Sequence, residues 1–339
     1  MLKRKLCEAV ITWKLTCEGP MLIKDGRFEK PESGYPDTLF ISRLNEAEFK
    51  KTVTTCNDRP PMTSYYVPGT SLRGPFRSLA ERIIRTLVVS SSSPETACDP
   101  FEQDSGKDLW SCSKRYEKES SASLKYAKAC PACKIFGYAG LASRLQFTDA
   151  DIKPMANCQA YSSLYRDMVG IDRFTGGVFR GALMRFHVLE KTIFTTTLSF
   201  TNFELWQLGL LAYVFRDFAE GLVPIGFGKT KGFGQVKGNV EGIALAYPRQ
   251  VNSNGLLNHL GSLATDQEFT DYNLDHRDPL PLPLELLAPK TNGLDLFQRF
   301  EVKNISLFWE KVAPTFNEFI NRLNQPTAAD PPEPSGETK

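Results

Sequence analysis

Histidine is scarce, with three in 339 residues. His187 falls in a strand-like run, and His259 and His276 lie in an irregular stretch beyond residue 249, so no motif carries an imidazole for acid–base work. Long apolar runs are missing too. Nothing approaches the roughly 20 residues that span a bilayer. Met1-Leu2-Lys3-Arg4-Lys5 leads into an alternating segment, not the apolar core of a signal peptide. The expectation is a cytoplasmic protein with no membrane contact. Net charge is only +2, so any basic surface for a nucleic acid has to be local. Eight cysteines do not make a disulfide scaffold in a chain this long, and in a reducing compartment their spacing matters more than their number.

What is present reads as an α+β chain. Leu6 to Thr16 alternates apolar and polar residues and predicts a first strand. A short β-prone run at Tyr65–Val67 then meets Pro68-Gly69, and a helical pattern begins near Ser71, with Leu72, Phe76, Leu79, Ile83 and Leu87 on one face. Ser71 is the expected N-cap, which puts Pro75 in the first turn. Arg73 and Arg77 fall on another face. Two readings stand for this turn: backbone N–H groups of Gly69 and Ser71 aimed with the two arginines at a phosphate, or a capped core helix with arginines in water.

Residues 90–134 are Ser- and Lys-rich and too poor in apolar side chains for a core of their own. They hold Cys98 and Cys112 and end in Cys130-Pro131-Ala132-Cys133. Cys-x-x-Cys is a metal-ligand spacing, and two further cysteines complete a tetrahedral set, so a structural zinc is expected to replace the missing core. The alternative is that Cys130 and Cys133 are ordinary small core residues beside Ile135 and Phe136. Cys158 is the reserve ligand. No recognition helix follows the cysteines, which argues against a zinc-dependent DNA-binding module.

Ser143–Asp149 predicts a strand, 151–180 shows no strong period, and Leu183–Leu189 and Ile193–Phe200 predict two strands. Asp172-Arg173-Phe174-Thr175-Gly176-Gly177 reads as a turn, with Arg173 and Phe174 placed to grip a phosphate and stack on a base if it projects. Thr201–Glu204 has capping-box spacing before an apolar helix, Trp206–Glu220. Gly228-Lys229-Thr230 resembles the end of a phosphate-binding P-loop, but Val223 stands where that loop needs glycine, and an extended run follows where it needs a helix. The better reading is a glycine-rich loop beside the sheet, carrying Lys229 and Lys231, that lets a backbone come close, with a purely structural hairpin as the alternative. Ile305 to Leu323 carries a helical apolar stripe interrupted by Pro314. Three units follow: a core over 1–248, a C-terminal extension over 249–325, and a proline-rich tail over 326–339 expected to be disordered.

Taken together, the motifs are similar to those of the CRISPR-associated RAMP superfamily. Val67-Pro68-Gly69-Thr70-Ser71-Leu72-Arg73-Gly74 resembles its "IPGSSLKG" turn, and Cys130 to Gly137 its "CPxCxLFG". Ser143 to Ala150 resembles "SRLxFxDA", Ile171-Asp172-Arg173-Phe174-Thr175 resembles "IDRxT", and Gly226 to Val236 resembles the terminal glycine-rich motif. Their order points to the repeat backbone subunit of type III effector complexes, the Cas-seven group.

The resemblance implies a ferredoxin-like (RRM-type) core with a zinc-binding insertion, a thumb-like hairpin within 151–180 and a C-terminal helical extension. It implies guide crRNA, target RNA and other subunits of a type III complex as partners. Guide contacts would come from Gly69, Ser71, Arg73, Arg77, Arg173, Phe174, Lys229, Lys231 and Phe233. Family members that cut use an aspartate after the first strand with a divalent cation. Pro36-Asp37-Thr38-Leu39-Phe40-Ile41 resembles that segment, so Asp37 is the expected catalytic residue, with Mg or Mn, and Asp25 the fallback. The alternatives are an architectural subunit that does not cut and a stand-alone RNA-processing endonuclease.

Overall fold

The computed structural model describes residues 3–26, 37–44, 48, 64–89, 95–152, 162–251, 255–290 and 296–325. The Ser90–Pro94 break, most of the 43–61 insertion, Cys158 and the 326–339 tail lie outside them.

Alternation in the first segment produces strand β1, Glu8–Cys17, which buries Ala9, Ile11, Trp13 and Leu15 on one face and leaves Val10, Thr12, Lys14 and Thr16 half-buried on the other. After β2 (Tyr66–Val67) comes helix α1, Gly69–Leu87. It starts earlier than the sequence suggests. Pro68 is the cap residue, its carbonyl accepts from Ser71 N–H and Leu72 N–H, and Pro75 falls inside the helix. Gly69 is required at the start because a Cβ there would stand 2.6 Å from the Phe147 carbonyl oxygen.

The cysteine-rich insertion contributes three short helices, α2 (Cys112–Arg115), α3 (Ala122–Ala127) and α4 (Pro131–Phe136). The chain returns to the sheet as β3 (Leu145–Phe147) and β4 (Ala150–Ile152). Next is a long ribbon of β5 (Ser162–Ile171) and β6 (Val178–Glu190), paired to each other in a sheet of their own. This ribbon reaches beyond the expected boundary at residue 180. Strand β7 (Ile193–Thr201), helix α5 (Leu205–Ala219) and β8 (Val236–Pro248) close the core. Glu204, not Thr201, caps α5, its N–H bonded to Gln207 Oε1 at 3.1 Å.

Beyond β8 lie β9 (Leu256–Leu257) and β10 (Leu280–Pro281), which pair together, with helices α6 (Leu260–Leu263) and α7 (Asp266–Asp271) between them. Strands β11 (Leu287–Lys290) and β12 (Phe297–Val302) and helix α8 (Ile305–Leu323) follow. The main sheet runs β11-β12-β8-β1-β7-β4-β2, with β3 also on β7, and its pairings are antiparallel.

Helices α1 and α5 cover one face of this mixed α/β sheet through an aromatic cluster. Trp13 meets Phe76 at 5.2 Å and Phe218 at 5.1 Å, and Phe76 stacks on Phe218 at 4.7 Å. The other face carries hydroxyls from β1 and β7 and a Lys14–Glu241 pair at 3.4 Å, with no aromatic platform on β1 or β7. The apolar stripe of α8 packs on α5. Trp206 stacks on Phe319 at 4.1 Å, and a Cβ on Gly209 would meet Phe316 N at 2.8 Å. The C-terminal extension therefore completes this chain's own core.

Candidate nucleic-acid interface and metal centre

Cys98, Cys112, Cys130 and Cys133 converge, all buried, with their sulfurs within 4.8 Å of one another. Cys98 Sγ lies 3.6 Å from both Cys130 Sγ and Cys133 Sγ. Ligands about 2.3 Å from a tetrahedral zinc would stand ~3.8 Å apart, so the spacing and the all-thiol donor set suit such an ion. Backbone N–H groups already point at the sulfurs: Cys98 N–H to Cys130 Sγ at 3.5 Å and Cys130 N–H to Cys112 Sγ at 3.4 Å. S–H···S bonds hold Cys98 and Cys112 below the usual thiol range, while burial pushes Cys130 up. Cys7 and Cys17 are ordinary core thiols, each pushed up to about 12 by burial. Four buried cysteines are thus positioned to bind a metal ion, as structural zinc requires.

The turn before α1 is occupied by the protein itself. Gly69 N–H donates to Asp149 Oδ1 at 2.9 Å, and Arg43 Nη1 stands 3.7 Å from the other Asp149 oxygen. A carboxylate therefore takes the helix N-terminus where a phosphate was one of two readings. Arg73 donates through Nη2 to the Phe136 carbonyl, and Arg77 through Nη1 to the Gly137 carbonyl at 3.0 Å and through Nη2 to Cys133 Sγ at 3.5 Å. Both arginines are half-buried and bonded to the insertion. They face the cysteine centre, because the insertion folds onto their side of α1. Ser71 stays half-buried, its N–H on Pro68.

Asp37 sits at the foot of the β5–β6 ribbon. Its exposed carboxylate accepts Arg185 N–H at 2.6 Å, Thr38 bridges Phe186, and His187 N–H donates to the Thr38 carbonyl at 2.9 Å. The Arg185 guanidinium forks onto Asp167 at 2.8 and 3.2 Å. Asp25, the fallback, is buried, and its N–H donates to the Leu39 carbonyl. Behind this segment His187 Nδ1 accepts Phe40 N–H at 3.4 Å, which leaves its proton on Nε2, 2.6 Å from Ser163 Oγ. Burial lowers His187 to about 4, so the ring is neutral at pH 7.

At the far end of the ribbon the turn is built by Asp172 and Thr175. Asp172 Oδ1 accepts Phe174 N–H at 3.0 Å and Oδ2 accepts Thr175 Oγ1–H at 2.9 Å. Those two residues hold the turn, which leaves Arg173 exposed and Phe174 wholly so.

The glycine-rich loop is stapled to the segment after β1. Phe227 N–H donates to the Leu22 carbonyl at 2.8 Å and Gly234 N–H to the Pro20 carbonyl at 2.8 Å. Gly226, at φ +82°, leaves no room for a side chain, since a Cβ would stand 2.4 Å from Leu22 O. Lys229 and Lys231 project from a single 3-10 turn and are exposed. Phe233 is not. It is buried against Phe186, ring centroids 6.0 Å apart, so it braces the ribbon's foot and offers no stacking face.

The RAMP superfamily profile matches residues 14–237 of this chain. The chain belongs to the RAMP superfamily. That membership makes it a CRISPR-associated protein with RNA as its class of ligand, acting among other subunits. No curated protein matched it. No helix among the described residues of this RAMP protein is long and apolar enough to cross a membrane.

Sequence reasoning missed Arg185 and Asp167, which frame Asp37, and Asp149, which caps α1. It also missed a buried polar network. Tyr126 donates its hydroxyl to Glu204 and accepts from Arg144 Nη1 and Gln207 Nε2, both at 2.8 Å, while Glu204 Oε2 accepts Asp275 N–H at 2.9 Å. The network ties the insertion to the core and to the C-terminal extension. The Ser143-to-Ala150 motif contains both Arg144 and Asp149, but nothing in its spacing names their partners.

Proposed function

We propose that this RAMP protein is a guide-RNA-binding backbone subunit of a type III CRISPR effector complex, and that Asp37 cuts the bound target RNA. The strand order β8-β1-β7-β4, with α1 and α5 as crossovers on one face, supports reading the core as ferredoxin-like. The observation that carries the functional reading is the placement of Asp37. It is an exposed carboxylate bonded to Arg185 N–H at the foot of a projecting ribbon whose other end bears Arg173 and Phe174. The loop with Lys229 and Lys231 packs beside the same foot through Phe227 and Phe233. We assign zinc to the four-cysteine centre.

RNA brings its own nucleophile. The 2′-oxygen bonds to the adjacent phosphorus, the bond from phosphorus to the 5′-oxygen breaks, and the 2′-proton passes to the Asp37 oxygen not held by Arg185. Water returns a proton to the departing 5′-oxygen, and a 2′,3′-cyclic phosphate remains. Magnesium is ordinarily held by one or two carboxylates together with the substrate's phosphates. The exposed Asp37 carboxylate is therefore the group that would hold Mg or Mn here, and the ion would neutralise charge at the scissile phosphate.

One observation favours the architectural alternative. The bond to Arg185 N–H is also what a carboxylate that only pins the 37–42 segment to β6 would make. Asp37→Asn separates the two, since an amide oxygen keeps that bond and cannot take the proton. The guide-binding claim itself is tested by purifying the protein with its neighbouring subunits. A short RNA of defined length is expected to come with it, and a complex that assembles free of RNA contradicts the reading.

A further inference from the structure

One face of α1 carries Arg73, Arg77, Glu81 and Arg85, each four residues from the next. Every cation on it bonds to a segment that holds a cysteine or follows one. Arg85 donates to the Ala97 carbonyl at 2.9 Å and to the Cys98 carbonyl at 2.5 Å. Arg77 reaches the Gly137 carbonyl and Cys133 Sγ, and Arg73 the Phe136 carbonyl. Glu81 lies between them, 2.7 Å from Arg77 Nε and 3.6 Å from Arg85 Nη2.

A divalent ion held by four thiolates is a doubly negative group. Burying it is costly unless cations and N–H donors stand beside it. Two backbone N–H groups meet the sulfurs, but they carry no net charge. Glu81 pairs with both Arg77 and Arg85, so three arginines and one glutamate leave this face with two positive charges beside the doubly negative centre. Only Arg77 bonds to a sulfur, and its fork is fixed by Glu81 and the Gly137 carbonyl.

A cavity of about 450 Å³ opens between these arginines and the cysteines, lined also by Ser111, Tyr138 and Ser143. Glu81 and a metal held by four thiolates would offset the charge of its arginines, so an incoming phosphate would meet no net positive charge once the centre is loaded.

We propose that Arg77 is the charge-compensating positioning residue of the metal centre, donating an N–H···S bond to Cys133, and that metal loading and the seating of α1 against the insertion depend on each other. The inference rests on the reading of the four cysteines as a metal site.

The test is cobalt(II) binding and zinc retention in the full chain, comparing wild type with Arg77→Gln, Arg77→Lys and, as control, the exposed Arg82→Gln. Removing a group that bonds to a metal ligand typically weakens metal binding by about 10–100-fold. Arg77→Gln is expected to bind cobalt that much more weakly, to surrender zinc faster to a chelator and to shift the thiolate-to-cobalt charge-transfer band. Arg77→Lys, which keeps charge and loses the fork, should fall between. If Arg77→Gln does not fold, Arg77→Lys carries the test. Unchanged affinity and spectrum in a variant that loads cobalt overturns the role of Arg77. Failure of the wild type to show a tetrathiolate cobalt spectrum overturns the metal reading itself.

Discussion

The Asp149 carboxylate accepts the Gly69 N–H at 2.9 Å, across 80 residues of chain, and so fills the N-terminus of α1. It anchors the helix to the sheet, and a phosphate arriving at the turn would have to share the helix N-terminus with that carboxylate.

Asp149→Ala should therefore act on stability. Loss of an N-terminal acceptor costs roughly 0.5–2 kcal/mol, and Asp149→Asn, which keeps an oxygen there, should cost less. Urea or thermal unfolding reads the difference.

Tyr126→Phe removes a hydroxyl shared by Arg144, Glu204 and Gln207. Leaving buried groups unpaired costs on the order of 1–3 kcal/mol. Because Glu204 also holds Asp275 N–H, the C-terminal extension should show faster amide exchange in this variant.

Stability should fall on mild acidification. Burial lowers both His187 and His259 from 6.5 to about 4, so the unfolded chain binds more protons between those values. The histidine contribution is complete above pH 6.5 and is lost as pH falls toward 4, on the order of 2 kcal/mol per ring by pH 5. A series of urea melts from pH 7 to 5 checks this. His187→Gln should flatten the dependence.

RNA affinity should depend on salt through the exposed cations. Each of Arg173→Ala, Lys229→Ala and Lys231→Ala should reduce the slope of log affinity against log salt, by about 0.7 for every phosphate of a single strand that the removed cation neutralised. Phe174→Ala should weaken binding with the slope unchanged, because stacking carries no counterion.

Much of the fold was legible. The alternation from Leu6 to Thr16 set one face for the helices, and the Cys-x-x-Cys pair with two cysteines upstream picked out the four that converge. The backbone that approaches the glycines at 226 and 234, however, is the protein's own, at Leu22 and Ile225. Leu183–Leu189 was legible as a strand and lies within β6, but β5 was hidden for a physical reason: a strand exposed on both faces needs no period-two pattern, and along β5 neither face is buried. Phe233 looked available because its loop has no periodicity to say which way a side chain turns. Arg73 and Arg77 read as surface cations because their partners are backbone carbonyls and a sulfur some sixty residues away, which leave no trace in local spacing. Buried polar groups such as Arg144 and Glu204 are invisible for the same reason.

The most direct test is cleavage by the assembled complex of an RNA complementary to its guide, assayed with magnesium and with manganese, for wild type and Asp37→Asn. Catalysis by Asp37 predicts unchanged target binding and loss of the cyclic-phosphate products in the variant. An undiminished product ladder from Asp37→Asn would contradict it.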